Sequence, residues 1–147
     1  QQIIINLAML TYCIVEILLS VFFIMNADSQ QELKDAYTVL EYLDANSGEN
    51  RNLCTDFNYG AFFEFYGYKS SIDARMELYT KRMNKKADYF DEFMDFTAGE
   101  IYYDDYLRKY DFDYIVLKTD FINGLLEHDN RYERLVDTDT YDLWIRK

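Results

Sequence analysis

The sequence predicts an α/β chain: an N-terminal transmembrane helix, then a small three-layer-like domain with a mixed sheet and a C-terminal β-hairpin. Three observations predict it. Residues Ile3 to Met25 are nearly all apolar over about 23 positions, enough at 1.5 Å per residue to cross a hydrocarbon core of roughly 30 Å. After residue 28 the apolar spacing switches repeatedly between helix-like and strand-like periods. Near the end, Tyr114-Ile115-Val116-Leu117 is a continuous apolar run, typical of a strand covered on both faces.

The apolar segment comes first. Glu16 lies near its middle, between Val15 and Ile17. An ionisable group at that depth is costly unless it faces protein or water, so Glu16 is expected to point into a bundle of further helices. A buried helix of a soluble core is the other reading. A signal peptide would need a positive start and a small-residue cleavage site. The chain instead opens Gln1-Gln2 without Met, Lys or Arg, and reads as part of a longer polypeptide. The flank that follows carries Asp28, Glu32, Asp35, Glu41 and Asp44 against Lys34, without the Lys/Arg excess of cytoplasmic loops. Residues 1–27 are therefore expected to be the membrane helix and 28–147 an extracytoplasmic domain of a cell-membrane protein.

Within that domain, Ser29-Gln30-Gln31-Glu32 has the form of a capping box. Leu33, Ala36, Tyr37, Leu40 and Leu43 follow at helical spacing until Asn46-Ser47-Gly48 ends the pattern. Asn52 to Asp56 reads as a strand, Tyr59 to Tyr66 as a short aromatic helix closed by Gly67, and Lys69 to Asp73 as a second strand. Asn84 to Ala98 is expected to be one helix, with Ala87, Phe90, Phe93, Met94 and Thr97 on a stripe and Gly99 beyond its end. Tyr102 to Lys109 and Phe121 to Glu127 are further helices, and Asp113 to Lys118 is the central strand. Tyr132 to Val136 and Tyr141 to Arg146 form the hairpin around residues 137–140.

Composition excludes some functions. With 27 acidic against 15 basic residues and a net charge of −12, the chain lacks the clustered cations that nucleic-acid binding requires. Its one basic cluster, Lys81, Arg82, Lys85 and Lys86, is expected to be a solvated helix entrance. Aromatic residues at 18% allow a packed core beneath that acidic surface. Cys13 lies in the apolar segment and Cys54 in a strand, positions that do not suit a disulfide. His128 stands alone at a helix end, which cannot build a common zinc site. Asp104, Asp105, Asp111 and Asp113 lack the ligand ladder of a calcium loop and are expected to be solvated charge. No metal site or cofactor is expected in this chain.

The most informative stretch runs from Cys54 to Tyr79. Two strands end in acidic residues around a glycine-bounded aromatic turn, which puts Asp56, Asn58, Tyr59, Asp73 and Arg75 at the carboxyl ends of neighbouring strands. Open α/β sheets bind ligands there. Asp56-Phe57-Asn58-Tyr59-Gly60, then Ile72-Asp73-Ala74-Arg75 and Leu78-Tyr79, resembles the extracytoplasmic C-terminal domain of polytopic GT-C membrane glycosyltransferases, especially the protein-mannosyltransferase-like group. Tyr59-Gly60 also resembles the end of the Trp-Trp-Asp-Tyr-Gly motif of oligosaccharyltransferase catalytic subunits. Asp56, Phe57 and Asn58 depart from that motif's Trp, Trp and Asp, and Ala74 departs from the Gly usual in the mannosyltransferase-like pattern.

The resemblance implies a parent enzyme that transfers sugar from a polyprenyl-phosphate carrier, with a carboxylate base and a divalent metal located outside this chain. The implied partners are membrane lipid, preceding transmembrane helices and a lipid-linked sugar. The domain itself would serve acceptor recognition or act as a lid, with no catalytic residue of its own. Asp56, Asn58 and Tyr59 are the expected acceptor contacts. Asp73 and Arg75 are expected to form an internal pair, Glu77 being the other candidate partner for Arg75, or to hold a donor phosphate. The aromatic group of Phe62, Phe63 and Phe65 is expected to be core or a membrane-facing seat rather than a sugar platform. The other function open to the sequence is a single-pass, membrane-anchored binding module without enzyme activity.

Overall fold

A computed structural model of the chain describes residues 2–25, 28–49, 51–118 and 121–147, with side chains for 9–22, 30–49, 51–118 and 121–147. It divides into two compact units, residues 1–34 and 35–147. The first contains helix α1 (Gln2–Met25), whose 24 residues make a rod of about 36 Å. Among the described residues no helix is long and apolar enough to cross a membrane, and the described side chains of α1 are residues 9–22. Helix α2 (Asp28–Asn46) follows, and the Ser29 side chain of the expected capping box lies outside the described residues.

The second unit is α/β, built on one five-stranded mixed sheet of order β2-β1-β3-β5-β4. Strands β1 (Asn52–Thr55), β2 (Lys69–Ser70) and β3 (Tyr114–Lys118) run parallel, while β5 (Tyr141–Arg146) is antiparallel to both β3 and β4 (Tyr132–Asp137). The Tyr114 to Leu117 run occupies the middle strand and is buried throughout. Its residues alternate between two cores, as a period of two requires. Tyr114 and Val116 join Leu53, Tyr141 and Leu143 under Val39, Leu43 and Phe63, from α2 and the short helix α3 (Gly60–Phe65). Ile115 and Leu117 join Trp144 on the opposite face. There they meet α5 (Tyr89–Ala98), α6 (Tyr103–Tyr110) and α7 (Phe121–Glu127) through Phe93, Phe96, Leu107, Ile122 and Leu126. Helices on both faces make the three layers that the sequence predicts.

Two elements differ from expectation. The helix expected over Asn84 to Ala98 is two: α4 (Lys81–Asn84) and α5 are separated by Lys85 at φ +60°. Asn84 makes the break. Its Oδ1 accepts from the amides of Lys86 and Ala87, and its Nδ2 donates to the Ala87 carbonyl, so the side chain replaces the helical bonds. Asp88 then caps α5 by accepting from the Asp91 amide.

Strand β2 stops after Ser70 instead of running to Asp73. The Ser71 amide still donates to the Leu53 carbonyl at 2.8 Å, and beyond that bond the seam to β1 continues through side chains. Ser71 Oγ accepts from the Thr55 amide at 3.0 Å, the Thr55 and Ser70 hydroxyls bond to each other, and Thr55 Oγ1 donates to the Ile72 carbonyl at 3.3 Å.

Candidate functional site

The carboxyl ends of β1 and β2 lie side by side because the two strands are parallel neighbours, so residues 56–60 and 71–75 emerge together. Asp56 still donates its amide to the Val116 carbonyl, then turns the chain. Its carboxylate Oδ1 accepts from the Asn58 amide at 2.9 Å, and its carbonyl accepts from Tyr59 and Gly60. An Asx turn thus feeds α3. Gly60 is required by proximity: a Cβ there would overlap the Ile72 carbonyl oxygen and Ser70 Oγ. This contact holds the start of α3 against the segment leaving β2.

The turn sends its side chains in different directions. Phe57 packs on the Trp144 side of the sheet, edge-on to Phe90 at 6.0 Å. Tyr59 packs on the other side, edge-on to Tyr141 at 5.2 Å and to Phe62 at 5.9 Å. Asn58 between them is exposed. A groove of about 390 Å³ opens beside Asp56 and Phe57, walled by Met76 and by Phe90, Phe93 and Met94 of α5. Of the strand-end residues, Asp56 is the one that lines it. Phe63 is core, Phe62 joins the ring cluster with Tyr37 and Tyr66, and Phe65 is 83% exposed.

Asp73 and Arg75 form the internal pair. Asp73 is fully buried and accepts from the Arg75 amide, from Arg75 Nε at 3.0 Å to both oxygens, from Arg75 Nη2, and from the Tyr79 hydroxyl at 3.0 Å. The Arg75 guanidinium, helped by its amide and Tyr79, holds the Asp73 carboxyl down at about 2. Burial and the Asp73 charge push the Tyr79 hydroxyl up. Arg75 Nη2 also meets Glu64 of α3 at 2.6 Å, and not Glu77. Glu64 is the member of this cluster that the sequence did not signal, and Tyr79 is signalled only as part of the Leu78-Tyr79 pair, with no role beside Asp73, since neither residue's separation from Asp73 matches a helical or strand pairing. Two carboxylates around one guanidinium leave the cluster net negative, which disfavours the donor-phosphate role. Asp73 is also unsuited to a divalent metal, because donors from Arg75 and Tyr79 surround its oxygens. Among the described residues no group of three or more His, Cys, Asp or Glu is placed to hold a metal.

The acidic residues expected to be solvated are partly structural. Asp104 is buried, accepting from the Tyr132 hydroxyl at 2.6 Å and from Arg131 Nη1, with Arg108 Nε at 3.2 Å. It ties α6 to β4. Asp113 accepts from the Asn52 amide at 2.9 Å across the start of the sheet. Spacing alone cannot show this, because the partners come from 28 and 61 positions away. His128 sits at the end of α7, its Nδ1 at 2.9 Å from the Gly124 carbonyl oxygen. Cys13 is an exposed free thiol and Cys54 a buried one, and burial pushes the Cys54 thiol up.

Compared with family models, curated proteins and solved structures, the chain matches none.

Proposed function

We propose that this chain is the last membrane helix and the extracytoplasmic domain of a membrane glycosyltransferase that uses a polyprenyl-phosphate-linked sugar. In this reading the domain recognises the acceptor and the catalytic base lies elsewhere in the parent protein. The observation that carries the reading is the paired strand end. Asp56 at the mouth of a groove, exposed Asn58 and half-buried Tyr59 leave one turn, next to a second strand end carrying the Ile72-Asp73-Ala74-Arg75 motif.

A second observation supports the membrane setting. From Leu10 to Phe22 the apolar side chains of α1 are exposed on every side of the helix, including Leu10 at 58%, Ile17 at 62% and Leu18 at 63%. Such a helix requires lipid or other helices around it. Glu16, exposed on the same helix, then faces the preceding helices of the parent protein.

The chemistry assigned to this domain is positioning. Transfer breaks the bond from the sugar's anomeric carbon to the carrier phosphate and forms one to an acceptor hydroxyl, whose proton goes to a base outside this chain. Asn58 offers an amide donor and acceptor, and Tyr59 a ring and hydroxyl. The test is sugar transfer by membranes containing the complete protein, with a radiolabelled polyprenyl-phosphate hexose as donor. Asn58→Ala is expected to lower transfer at least tenfold while expression and donor binding persist. Wild-type transfer by that variant removes the acceptor role. Absence of transfer by the wild-type protein, with no apolar spans encoded upstream, removes the enzyme reading in favour of an anchored binding module.

A further inference from the structure

We infer that the segment from Met76 to Lys86 is a docking face for anionic phospholipid, on which the domain rests against the bilayer surface. It comprises a 3-10 turn (Met76–Tyr79) and the short helix α4. Met76, Leu78 and Met83 are 48%, 47% and 55% exposed, although each is a large apolar side chain. Between and after them stand Lys81, Arg82, Lys85 and Lys86, all exposed. Four of the chain's 15 basic residues thus fall within six positions of a protein whose net charge is −12, and Glu77 is the only acid between residues 76 and 86. The segment is a cationic island on an acidic molecule.

Exposed methionine and leucine among lysines are costly in water and favourable at a headgroup boundary. There the apolar groups enter the acyl edge and the cations meet phosphate. The charge pattern also selects the occupant. The net charge of −12 opposes approach to an anionic surface while this run of four exposed cations favours it, so the run biases the orientation in which the domain approaches. Arg75 just before it does not add to the island, being paired with Asp73 and Glu64. Met76 belongs both to this face and to the groove at Asp56. Lipid held here therefore lies beside the strand-end site.

The inference requires that the domain be presented to a bilayer and is independent of sugar transfer. Its test places an environment-sensitive fluorophore on Met83→Cys, in a Cys13→Ser background, in the full chain with vesicles. Phosphatidylglycerol vesicles are expected to shift the emission to the blue, with quenching by lipid-borne quencher, whereas phosphatidylcholine vesicles leave it aqueous. High salt, or the combined substitution of Lys81, Arg82, Lys85 and Lys86 by Glu, is expected to weaken docking by roughly tenfold or more. A control label on Glu100→Cys stays aqueous throughout. Unchanged Trp144 emission in the fourfold variant shows that its fold is intact. An aqueous probe at 83 in phosphatidylglycerol overturns the inference. So does an equal shift in both lipids, or one that follows protein density instead of lipid charge, the mark of a second copy of the chain. The signal is local to residue 83, so it reads the same whether or not α1 spans the bilayer.

Discussion

Asp142→Asn tests the electrostatics of the closing hairpin and is expected to stabilise the domain near neutral pH. Asp142 lies on β5, a strand with neighbours on both sides, and is 2% exposed. Among the described residues its Oδ1 has no hydrogen bond, and Arg134 Nη1 is 3.6 Å away, beyond hydrogen-bonding reach. Asp137 stands directly opposite on β4, a like charge across the ladder. Burial pushes the Asp142 carboxyl up from 3.8 to about 6, with Arg134 opposing the shift and Asp137 and Glu127 reinforcing it.

A carboxyl raised in the folded state binds its proton more tightly there than in the unfolded chain. The resulting stability is full below about pH 4 and is lost as pH rises to about 6. The whole shift corresponds to about 3 kcal/mol, of which about 1.3 kcal/mol falls between about pH 5 and 7. Solvent screening of the exposed Asp137 and Glu127 carboxylates, which reinforce the shift, reduces that figure to about 1 kcal/mol. Urea unfolding of the full chain in mild detergent, followed through Trp144, the only tryptophan, measures it. The advantage of the Asn variant over wild type is expected to grow by about 1 kcal/mol from pH 5 to 7. A constant difference, or one that shrinks, refutes the reasoning whatever its absolute value.

Other substitutions probe the site and its supports. Gly60→Ala drives a methyl into the Ile72 carbonyl and is expected to cost about 2–3 kcal/mol in the same urea assay, against near neutrality for Gly124→Ala, which meets nothing within 4 Å. Asp73→Asn removes a carboxylate held at about 2 and is expected to cost about 1 kcal/mol at pH 6. That deficit shrinks toward pH 2, because stability from a lowered carboxyl disappears as pH falls through its folded value. Asn123 accepts from Trp144 Nε1 at 3.0 Å and donates to the Lys118 carbonyl at 2.6 Å. Asn123→Ala is expected to cost about 2 kcal/mol and to alter the Trp144 emission of the folded state, which a merely exposed asparagine would leave unchanged.

Much of the fold was legible because it depends on local pattern. The Tyr114 to Leu117 run had to be covered on both faces, and the structure puts it in the middle of the sheet. The hairpin from Tyr132 to Arg146 and the helix ending at Gly99 follow from alternation and from a left-handed cap. The Asn84 break was not legible, because helical periodicity continues across it while one side chain takes over the backbone bonds. The length of β2 was not legible for a similar reason: after a last backbone bond from the Ser71 amide to Leu53, the hydroxyls of Thr55, Ser70 and Ser71 take the place of the ladder.

The candidate site divides in the same way. From the sequence alone came the position of Asp56, Asn58, Tyr59, Asp73 and Arg75 at two neighbouring strand ends, since strand periods and intervening turns are local properties. Tertiary structure decided what each residue does there. It sent Tyr59 to one face of the sheet and Phe57 to the other, left Asn58 exposed, and opened a groove at Asp56. It closed Asp73 and Arg75 into a cluster with Glu64 and Tyr79. Charge balance, burial and proton affinity depend on groups brought together from distant positions, and no reading of spacing along the chain contains them.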